Sequence, residues 1–559
     1  MNQAISPEER KYALDLALGT FSSHNDASTH DYEMSLGADK TLCLKLGYVA
    51  MKTSDFSEEI LLIARCLRTI YGCSSEYRKR SFRSIGATEL FPLLVQVWKN
   101  CHPDDILNMD EKKVALLREI LQIFRIYAKL DIAKPFMINF DHGEWLGRIM
   151  DLSKLCLEDS SSTVGSSYII NDIVGLIKDL IFRSERADKE FLISLEGGVV
   201  MEIIDSFCGR QKVSNSKLSE LFTAVIWNLV LEKSICRKML YPNGEENLIL
   251  VEYLFNTLCD VSDVRESTMT TKIKRNSISA IGNILSDPKN YSLLLENDKI
   301  KTLSILIRVV QEDPDSIVRR RAMRTIRCLA SSHDPQAQQI MKQQSLGIFL
   351  AETIAQNINH DDENDRDTQI QAFQTVNVLT DSFQDSDWPR LETAILQRIE
   401  TTTDTKLIIG ACRCLQECLR KSPWRRGPSC FSEMFWRRLE TTVLSSGDAH
   451  ASISTLLLEM SKLEKEENNS MMTQPSCLTS SSTVKTLATL LSATGSELES
   501  SRNNALDVLL LLVKDEVNKR PLAESEDLLS GLVNLCLLQP EASTKKLAKQ
   551  LILDLVPEL

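Results

Sequence analysis

The chain has 559 residues, of which 43% are hydrophobic and 25% charged, and its formal net charge is −12. A single hydrophobic core stops growing at roughly 250–300 residues, so this length requires several domains or an elongated array. The composition is too apolar for general disorder. The negative charge disfavours non-specific binding to nucleic acid, which depends on neutralising phosphates. We therefore expect a largely folded protein that binds no nucleic acid directly.

The fifteen cysteines are spread along the chain without a CxxC pair, which is typical of buried thiols in a reducing compartment. The first residues, MNQAISPEERKYAL, carry no basic-then-apolar signal pattern. The longest uninterrupted apolar run, at 508–513, is far shorter than the roughly 18 residues of a membrane span. We expect a cytoplasmic or nuclear protein without a membrane span.

In chain order, the sequence predicts a cap or partly ordered lead over 1–53, helical repeats over 54–461, a polar linker over 462–483, and further repeats with a cap over 484–559. The twenty glycines and fifteen prolines are few for this length. The prolines stand singly, as breaks between helices do. An all-α fold follows from this pattern.

The repeat is clearest over 271–312 and 313–354. The first stretch predicts a helix ending at Ser286, a break at Asp287-Pro288, a short helix from Lys289 and a third helix over 299–311. The second repeats this order, with Asp-Pro breaks at its start and at Asp334-Pro335. Its long helix places four apolar residues on one face at helical spacing, namely Val318, Ala322, Ile326 and Leu329.

Two segments, AVIWNL at 224–229 and SAIGNI at 279–284, match an Ala-x-x-Leu-x-Asn-Leu type of helix ending. On these residues the chain resembles the armadillo-repeat family. The resemblance covers nearly the whole chain after about residue 55 and implies an all-α, armadillo-like α-solenoid. Such a fold is a right-handed superhelix of stacked three-helix repeats, and the third helix of each repeat lines its concave groove.

Three polar segments interrupt the helical pattern, at 158–167, 359–367 and 464–483. They are rich in serine or strongly acidic. We expect them to be loops between helices.

The sequence offers no pattern for catalysis or cofactor binding. The seven histidines are far apart, and no P-loop, GxGxxG after a strand, or GxSxG motif is present. Cys412, Cys414 and Cys418 lie close together, which fits either a metal site or, as we favour, buried small apolar side chains. We expect no enzyme activity, metal, cofactor or small-molecule substrate.

Candidate binding residues follow from the resemblance, since the family commonly uses the motif asparagine to hold an extended peptide. Asn228 and Asn283 match that position, where an amide can donate and accept at once; each could instead bond a neighbouring helix carbonyl. Steps of four and seven residues along the same helix faces complete the groove wall, giving Asn276, Ser279, Arg321, Arg324, Gln371, Gln374 and Arg413. The asparagine position holds Asp179, Cys328, Val378 and Glu417 in other units, which argues against importin-α or β-catenin.

The run VRRRAMRTIR, at 318–327, concentrates positive charge on one helix. Asp315 can pair with Arg319 at i,i+4, but the remaining like-charged neighbours cost roughly 0.2–0.5 kcal/mol each. Something anionic is expected to compensate them. An acidic residue on an adjacent helix and an acidic or phosphorylated partner segment are both open.

A second candidate patch lies in 421–440, where two Trp-Arg-Arg triplets concentrate residue types that dominate protein interfaces. Its residues are Trp424, Arg425, Arg426, Trp436, Arg437 and Arg438. Packing between repeats is the alternative use of such large rings.

These patterns favour a non-enzymatic scaffold or adaptor that binds a partner protein segment along a concave groove. Two alternatives stay open. One is a regulator of a small or heterotrimeric GTPase that resembles an exchange factor, since some helical-repeat proteins have this role. The other is a nuclear transport adaptor, which the arginines at the centre of the groove disfavour for basic cargo.

Overall fold

In the computed structural model, the chain is described over 90–99, 111–158, 164–194, 199–209, 216–259, 268–295, 301–332, 346–356, 362–421, 431–467, 476–495, 498–538 and 542–558, and at isolated positions within 61–68 and 334–341. The lead predicted over 1–53 lies outside these residues. All regular secondary structure within them is helical. The chain divides into unit 1, residues 1–287, and unit 2, residues 288–559.

The described helices of unit 1 are α1 (Phe91–Lys99), α2 (Glu111–Ala128), α3 (Lys134–Asn139), α4 (Glu144–Glu158), α5 (Val164–Ile181), α6 (Arg186–Ser194), α7 (Val199–Gly209), α8 (Ser216–Val230), α9 (Lys233–Leu240), α10 (Leu248–Cys259) and α11 (Thr268–Ile284).

Unit 1 has two layers. The long helices α2, α5, α8 and α11 pack side by side in that order, and we call them the long-helix layer of unit 1. Helices α1, α4, α7 and α10 form the second layer. The short helices α3, α6 and α9 follow the long ones and lead back to the second layer. This succession of long, short and intermediate helices confirms the three-helix repeat in unit 1.

Aromatic rings fill the first part of the unit 1 core. Phe91 of α1, Phe124 of α2 and Trp145 of α4 are buried, and the centroid of the Phe91 ring lies 5.2 Å from that of Phe124 and 5.1 Å from that of Trp145. The Trp145 indole N–H donates to the Met137 carbonyl at 2.9 Å, as a buried indole requires. The rings therefore join the two layers.

The described helices of unit 2 are α12 (Tyr291–Leu295), α13 (Thr302–Glu312), α14 (Ser316–Ala330), α15 (Leu346–Ala355), α16 (Glu363–Leu379), α17 (Trp388–Thr401), α18 (Thr405–Lys421), α19 (Glu433–Ser445), α20 (Ala449–Glu467), α21 (Ser481–Ser492), α22 (Glu499–Leu512), α23 (Glu516–Ala523), α24 (Glu526–Leu538) and α25 (Ala542–Leu555).

Unit 2 also has two layers. Helices α14, α16, α18, α20, α22 and α25 form its long-helix layer, and α13, α15, α17, α19, α21 and α24 form the other. The third helix of the repeat is less regular than the sequence predicts. It is a 3₁₀ turn, Thr380–Ser382, between α16 and α17, whereas α23 supplies a full short helix between α22 and α24.

Parts of the three segments predicted as loops are helical, so those predictions are wrong at their edges. Helix α5 already begins at Val164, α16 at Glu363, and α20 continues to Glu467. At α16 the reason is local: Asp362 caps the helix by accepting from the Asn364 N–H at 2.8 Å. Acidic residues in a first turn favour a helix, because they complement its positive end.

The end of α15 is held by two buried polar side chains of neighbouring helices. Arg398 of α17 is 3% exposed, and its Nε and Nη2 atoms donate to the Ile354 carbonyl at 3.0 and 2.9 Å. Gln369 of α16 donates from Nε2 to the carbonyls of Ile354 and Gln356 at 3.2 and 2.9 Å, and Arg398 also donates to Gln356. The last carbonyls of α15 thus find donors that the helix cannot supply.

Candidate functional site

A cleft of about 440 Å³ opens on the long-helix layer of unit 1. It lies across α5, α8 and α11, together with the connection from α2 to α3. Its lining residues are Lys129, Asp131, Lys134, Lys178, Asp179, Phe182, Arg183, Glu220, Ala224, Trp227, Asn228 and Asn276. We call this the unit 1 cleft.

The unit 1 cleft brings together two of the asparagines that the sequence singles out. Asn228 of α8 is 7% exposed, and its Nδ2 donates to the Ala224 carbonyl in the same helix at 2.7 Å. Its Oδ1 has no donor among the described residues. Asn276 of α11 makes two long bonds from Nδ2 to α8, to the Glu220 carbonyl at 3.4 Å and to Thr223 Oγ1 at 3.3 Å. Both amides thus retain capacity toward a ligand.

Three carboxylates in the unit 1 cleft are matched by cations. Asp131 lies 2.8 Å from Lys134 Nζ, and Lys134 also donates to the Phe182 carbonyl at the end of α5. Asp179 Oδ2 lies 3.3 Å from Nε of Arg125 on the neighbouring helix α2. Glu220 pairs with Lys217 one turn earlier in α8. These pairs leave little uncompensated negative charge in the cleft.

Three further cations of the unit 1 cleft have no carboxylate of their own among the described residues. Lys129 and Arg183 are exposed and form no ion pair with any described residue. Lys178 Nζ lies 3.8 Å from Asp179 Oδ1, a carboxylate that Arg125 already occupies. The cleft therefore carries an excess of positive charge within a protein whose net charge is negative.

Arg183 adopts a backbone conformation that is unusual for a residue with a side chain. Its φ of 58° is left-handed, just after the end of α5, where helices commonly place glycine. An L-residue in this region costs roughly 1–2 kcal/mol. The guanidinium carbon lies 5.1 Å from the centroid of the exposed Phe182 ring.

The other two unit 1 candidates lie on α11 but do not line the cleft. Ser279 Oγ donates to the Arg275 carbonyl at 2.6 Å within the helix. Asn283 is half-buried, and its Nδ2 atom is buried with no acceptor in the described part of the chain. The asparagine position therefore has different surroundings in successive repeats.

The candidates in unit 2 lie on its long-helix layer. Arg324 of α14 is exposed and forms no bond with a described residue, while Arg321 is half-buried. On α16, Gln374 accepts from Arg327, and Gln371 has a buried Oε1 without a donor among the described residues. On α18, Arg413 Nε donates to Ser452 Oγ of α20 at 3.0 Å.

The arginine run finds acidic partners on the adjacent helix. Arg319 pairs with Asp365 of α16, and Arg320 Nη1 lies 3.3 Å from Asp367 Oδ2. Asp315 caps α14 by accepting from the Val318 N–H at 2.9 Å. Part of the charge that the sequence left unexplained is thus compensated within unit 2.

The second candidate patch is only partly a surface. Trp424, Arg425 and Arg426 lie outside the described residues. Trp436 is 4% exposed and packs edge-on against Phe435 at 5.0 Å between ring centroids, so this side chain is a core residue and its assignment to a surface patch is wrong. Arg437 is exposed and pairs with Glu433, and Arg438 Nε donates to the Glu400 carbonyl at 3.4 Å.

The cysteine cluster of α18 is buried. Burial raises the pKa of the Cys412 thiol to about 12 and also raises the pKa values of Cys414 and Cys418. No group of three or more His, Cys, Asp or Glu residues in the described part of the chain could hold a metal ion. No described helix is long and apolar enough to cross a membrane.

Sequence reasoning missed the cations of the unit 1 cleft and Trp227, which precedes Asn228. The sequence does not single out Lys129 or Arg183, because each follows the end of a long helix and lies outside the helix faces that predict the groove wall. One signal was available. The sequence has Phe-Arg-Ser after α5, where a left-handed helix ending favours glycine.

Comparison with solved structures relates the fold to known proteins. The crystal structure of SYS-1 superposes with a TM-score of 0.58 and 11% sequence identity, covering 92% of this chain and 93% of that chain. A designed armadillo repeat protein matches 52% of this chain and 99% of its own with 18% identity and a TM-score of 0.36. No family model matches the chain, and no curated protein does.

The helical layers and the likeness to SYS-1 define the class of protein. The chain has an armadillo-like α-solenoid fold. At 11% identity the likeness concerns the fold alone.

Proposed function

We propose that the protein is a non-enzymatic scaffold that binds an extended segment of a partner protein on its long-helix layers. The observation that carries this proposal is the unit 1 cleft, where Asn228 and Asn276 lie beside a half-buried Trp227. The fold agrees with it, because stacked repeats present long continuous surfaces that suit extended ligands.

The chemistry of the unit 1 cleft suits a peptide backbone. An extended segment alternates N–H and C=O groups, and the Oδ1 of Asn228 can accept from one of its N–H groups. The bonds that the Asn276 amide makes to described residues are both long, and the amide can exchange them for a bond to a ligand carbonyl. Trp227 supplies an aromatic surface for a neighbouring side chain of the segment.

A peptide-display selection on the purified full chain tests the proposal. Peptides that bind should lose affinity by about tenfold when Asn228 is replaced by alanine, since a buried hydrogen bond in a binding site is worth roughly 1–1.5 kcal/mol. Asn228→Ala should fold normally, because the one bond that the Asn228 amide makes to a described residue lies within its own helix and alanine favours helix. Arg148→Ala on α4, an exposed residue paired with Glu144, is the control.

Three results would contradict the proposal. One is selected peptides that bind both variants as tightly as the unmodified chain. Another is a selection that yields no binding peptide. The third is faster nucleotide exchange on a GTPase added to the purified chain, which would favour the regulatory alternative instead.

A further inference from the structure

We propose that the unit 1 cleft receives a phosphorylated side chain of the bound segment. This inference rests on the proposed function and deepens it. Lys129, Lys178 and Arg183 would contact the phosphoryl oxygens, while Asn228 holds the adjacent backbone.

Charge carries the inference. The carboxylates of the cleft are matched by Lys134, Arg125 and Lys217. Among the described residues this leaves Lys129 and Arg183 without an ion-pair partner and Lys178 with only a shared one. A phosphoryl group carries about −1.5 to −2 charge at neutral pH. It matches this excess better than a single carboxylate does, and a guanidinium binds its oxygens in a bidentate manner.

The end of α5 does not account for Arg183. Lys129 and Arg183 follow the ends of α2 and α5, where a positive side chain is favourable because the last carbonyls carry partial negative charge. At α5, however, that requirement is already met from inside the structure. The buried Lys134 donates to the Phe182 carbonyl. Arg183 is therefore not needed to stabilise the end of α5.

The backbone of Arg183 offers a way to test the role of its side chain. A glycine at a φ of 58° would avoid the steric cost that an L-residue meets there. An arginine in this position is therefore less favourable for folding than a glycine. The substitution Arg183→Gly consequently separates binding from folding, since it removes the cation and relieves the backbone.

Fluorescence anisotropy with the full chain and three labelled peptide libraries tests the inference. The libraries are ten-residue peptides of mixed sequence with phosphoserine, glutamate or serine fixed at the centre. We expect the phosphoserine library to bind about tenfold more tightly than the serine library, with glutamate between them. Arg183→Gly should abolish most of this preference and leave the weaker binding of the serine library unchanged.

The matched control lies in unit 2. Lys301 is also an exposed cation with left-handed backbone, at φ 46°, and it does not line the unit 1 cleft. Lys301→Gly therefore makes the same change in charge and backbone and should preserve the phosphoserine preference. Thermal unfolding followed by circular dichroism should show both variants folded as in the unmodified chain.

The outcomes separate the two proposals. A phosphoserine preference that survives Arg183→Gly, or equal binding of all three libraries, overturns this inference; if binding is still lost in Asn228→Ala, the proposed function stands. Absence of binding by every library overturns both. Vesicles containing anionic phospholipid are the remaining probe. If they bind in an Arg183-dependent way while the phosphoserine library does not, the occupant is a lipid headgroup and the inference is wrong.

Discussion

Replacing Arg398 by methionine should destabilise unit 2 around the end of α15. The guanidinium is buried and donates to the carbonyls of Ile354 and Gln356. Burial lowers its pKa, because a charge removed from water loses solvation free energy. Methionine fills much of the same volume but offers no donor.

The size of the expected loss of stability depends on which donors the carbonyls of Ile354 and Gln356 retain after the substitution. Hydrogen bonds from charged donors are worth about 1.5–3 kcal/mol each, but removing the buried charge recovers part of its desolvation. Gln369 still donates to both carbonyls after the change. We therefore expect Arg398→Met to cost about 2–3 kcal/mol and Gln369→Leu to cost about 1–2 kcal/mol.

The double variant is the sharper test. With both donors removed, the carbonyls of Ile354 and Gln356 keep no side-chain partner among the described residues, and leaving the carbonyl of the buried Ile354 unsatisfied costs about 1–3 kcal/mol. The combined loss should exceed the sum of the single losses by about 1 kcal/mol or more, because in each single variant the remaining side chain still donates to the same carbonyls.

Hydrogen exchange of the peptides covering α15 and α17, read by mass spectrometry at several urea concentrations, is the suitable assay. It reports local opening, whereas a single unfolding free energy is poorly defined for a long repeat array. Arg390→Met, at an exposed position of α17, is the control. Unchanged exchange in Arg398→Met, or strictly additive losses in the double variant, would refute the reasoning.

Three further predictions use the same structure. Gly347→Ala should cost about 1–3 kcal/mol in urea titrations, because its Cβ would lie 2.5 Å from Cβ and Cγ of Asp387. Gly209→Ala should be neutral or stabilising, because its Cβ would meet no atom of the described residues within 4 Å. Asp362→Ala should cost about 1 kcal/mol near pH 7. Bonds from Ser316 and the backbone lower the pKa of the Asp362 carboxyl below its ordinary 3.8. The stabilisation is therefore present above pH 3.8 and is lost as the pH falls through the lowered pKa of the folded state, which urea titrations at several pH values would show. Cys412, with its pKa raised to about 12, should resist alkylation at pH 8 until the protein unfolds, and mass spectrometry would show the half-buried cysteines reacting first. Early modification of Cys412, pH-independent loss in Asp362→Ala, or a harmless Gly347→Ala would each contradict the corresponding step.

The repeat was predictable because helix endings are decided locally. Asp287-Pro288 ends one long helix in the sequence and in the structure, where α11 stops at Ile284 and a 3₁₀ turn begins at Pro288. Proline lacks an N–H and restricts the residue before it, so no tertiary contact is needed to stop the helix there.

The polar segment at 359–367 shows where composition misled the prediction. Its acidic residues read as a solvated loop, yet α16 begins at Glu363. In the structure Asp365 and Asp367 pair with the arginine run of α14. A charge pattern on one helix cannot reveal its partners on another helix, since the residues of the two ion pairs are 46 and 47 positions apart in the sequence.

The sequence predicted the asparagines of the candidate site but did not predict its positively charged residues. Asn228 stood out because it fits a motif within one helix, but Lys129, Lys178 and Arg183 belong to two different repeats and share no sequence pattern with it. Only packing of α2, α5 and α8 side by side places them around one cleft.

The sequence by itself determined the helices, their apolar faces and most of their breaks, since these depend on residue spacing and on the backbone chemistry of proline. The tertiary structure alone decided which charges are neutralised. Arg319 and Arg320 are compensated by the next helix, whereas Arg183 forms no ion pair with a described residue. The physical reason is distance: an ion pair depends on side-chain atoms lying within about 4 Å of each other, and the stacking of the repeats sets that separation.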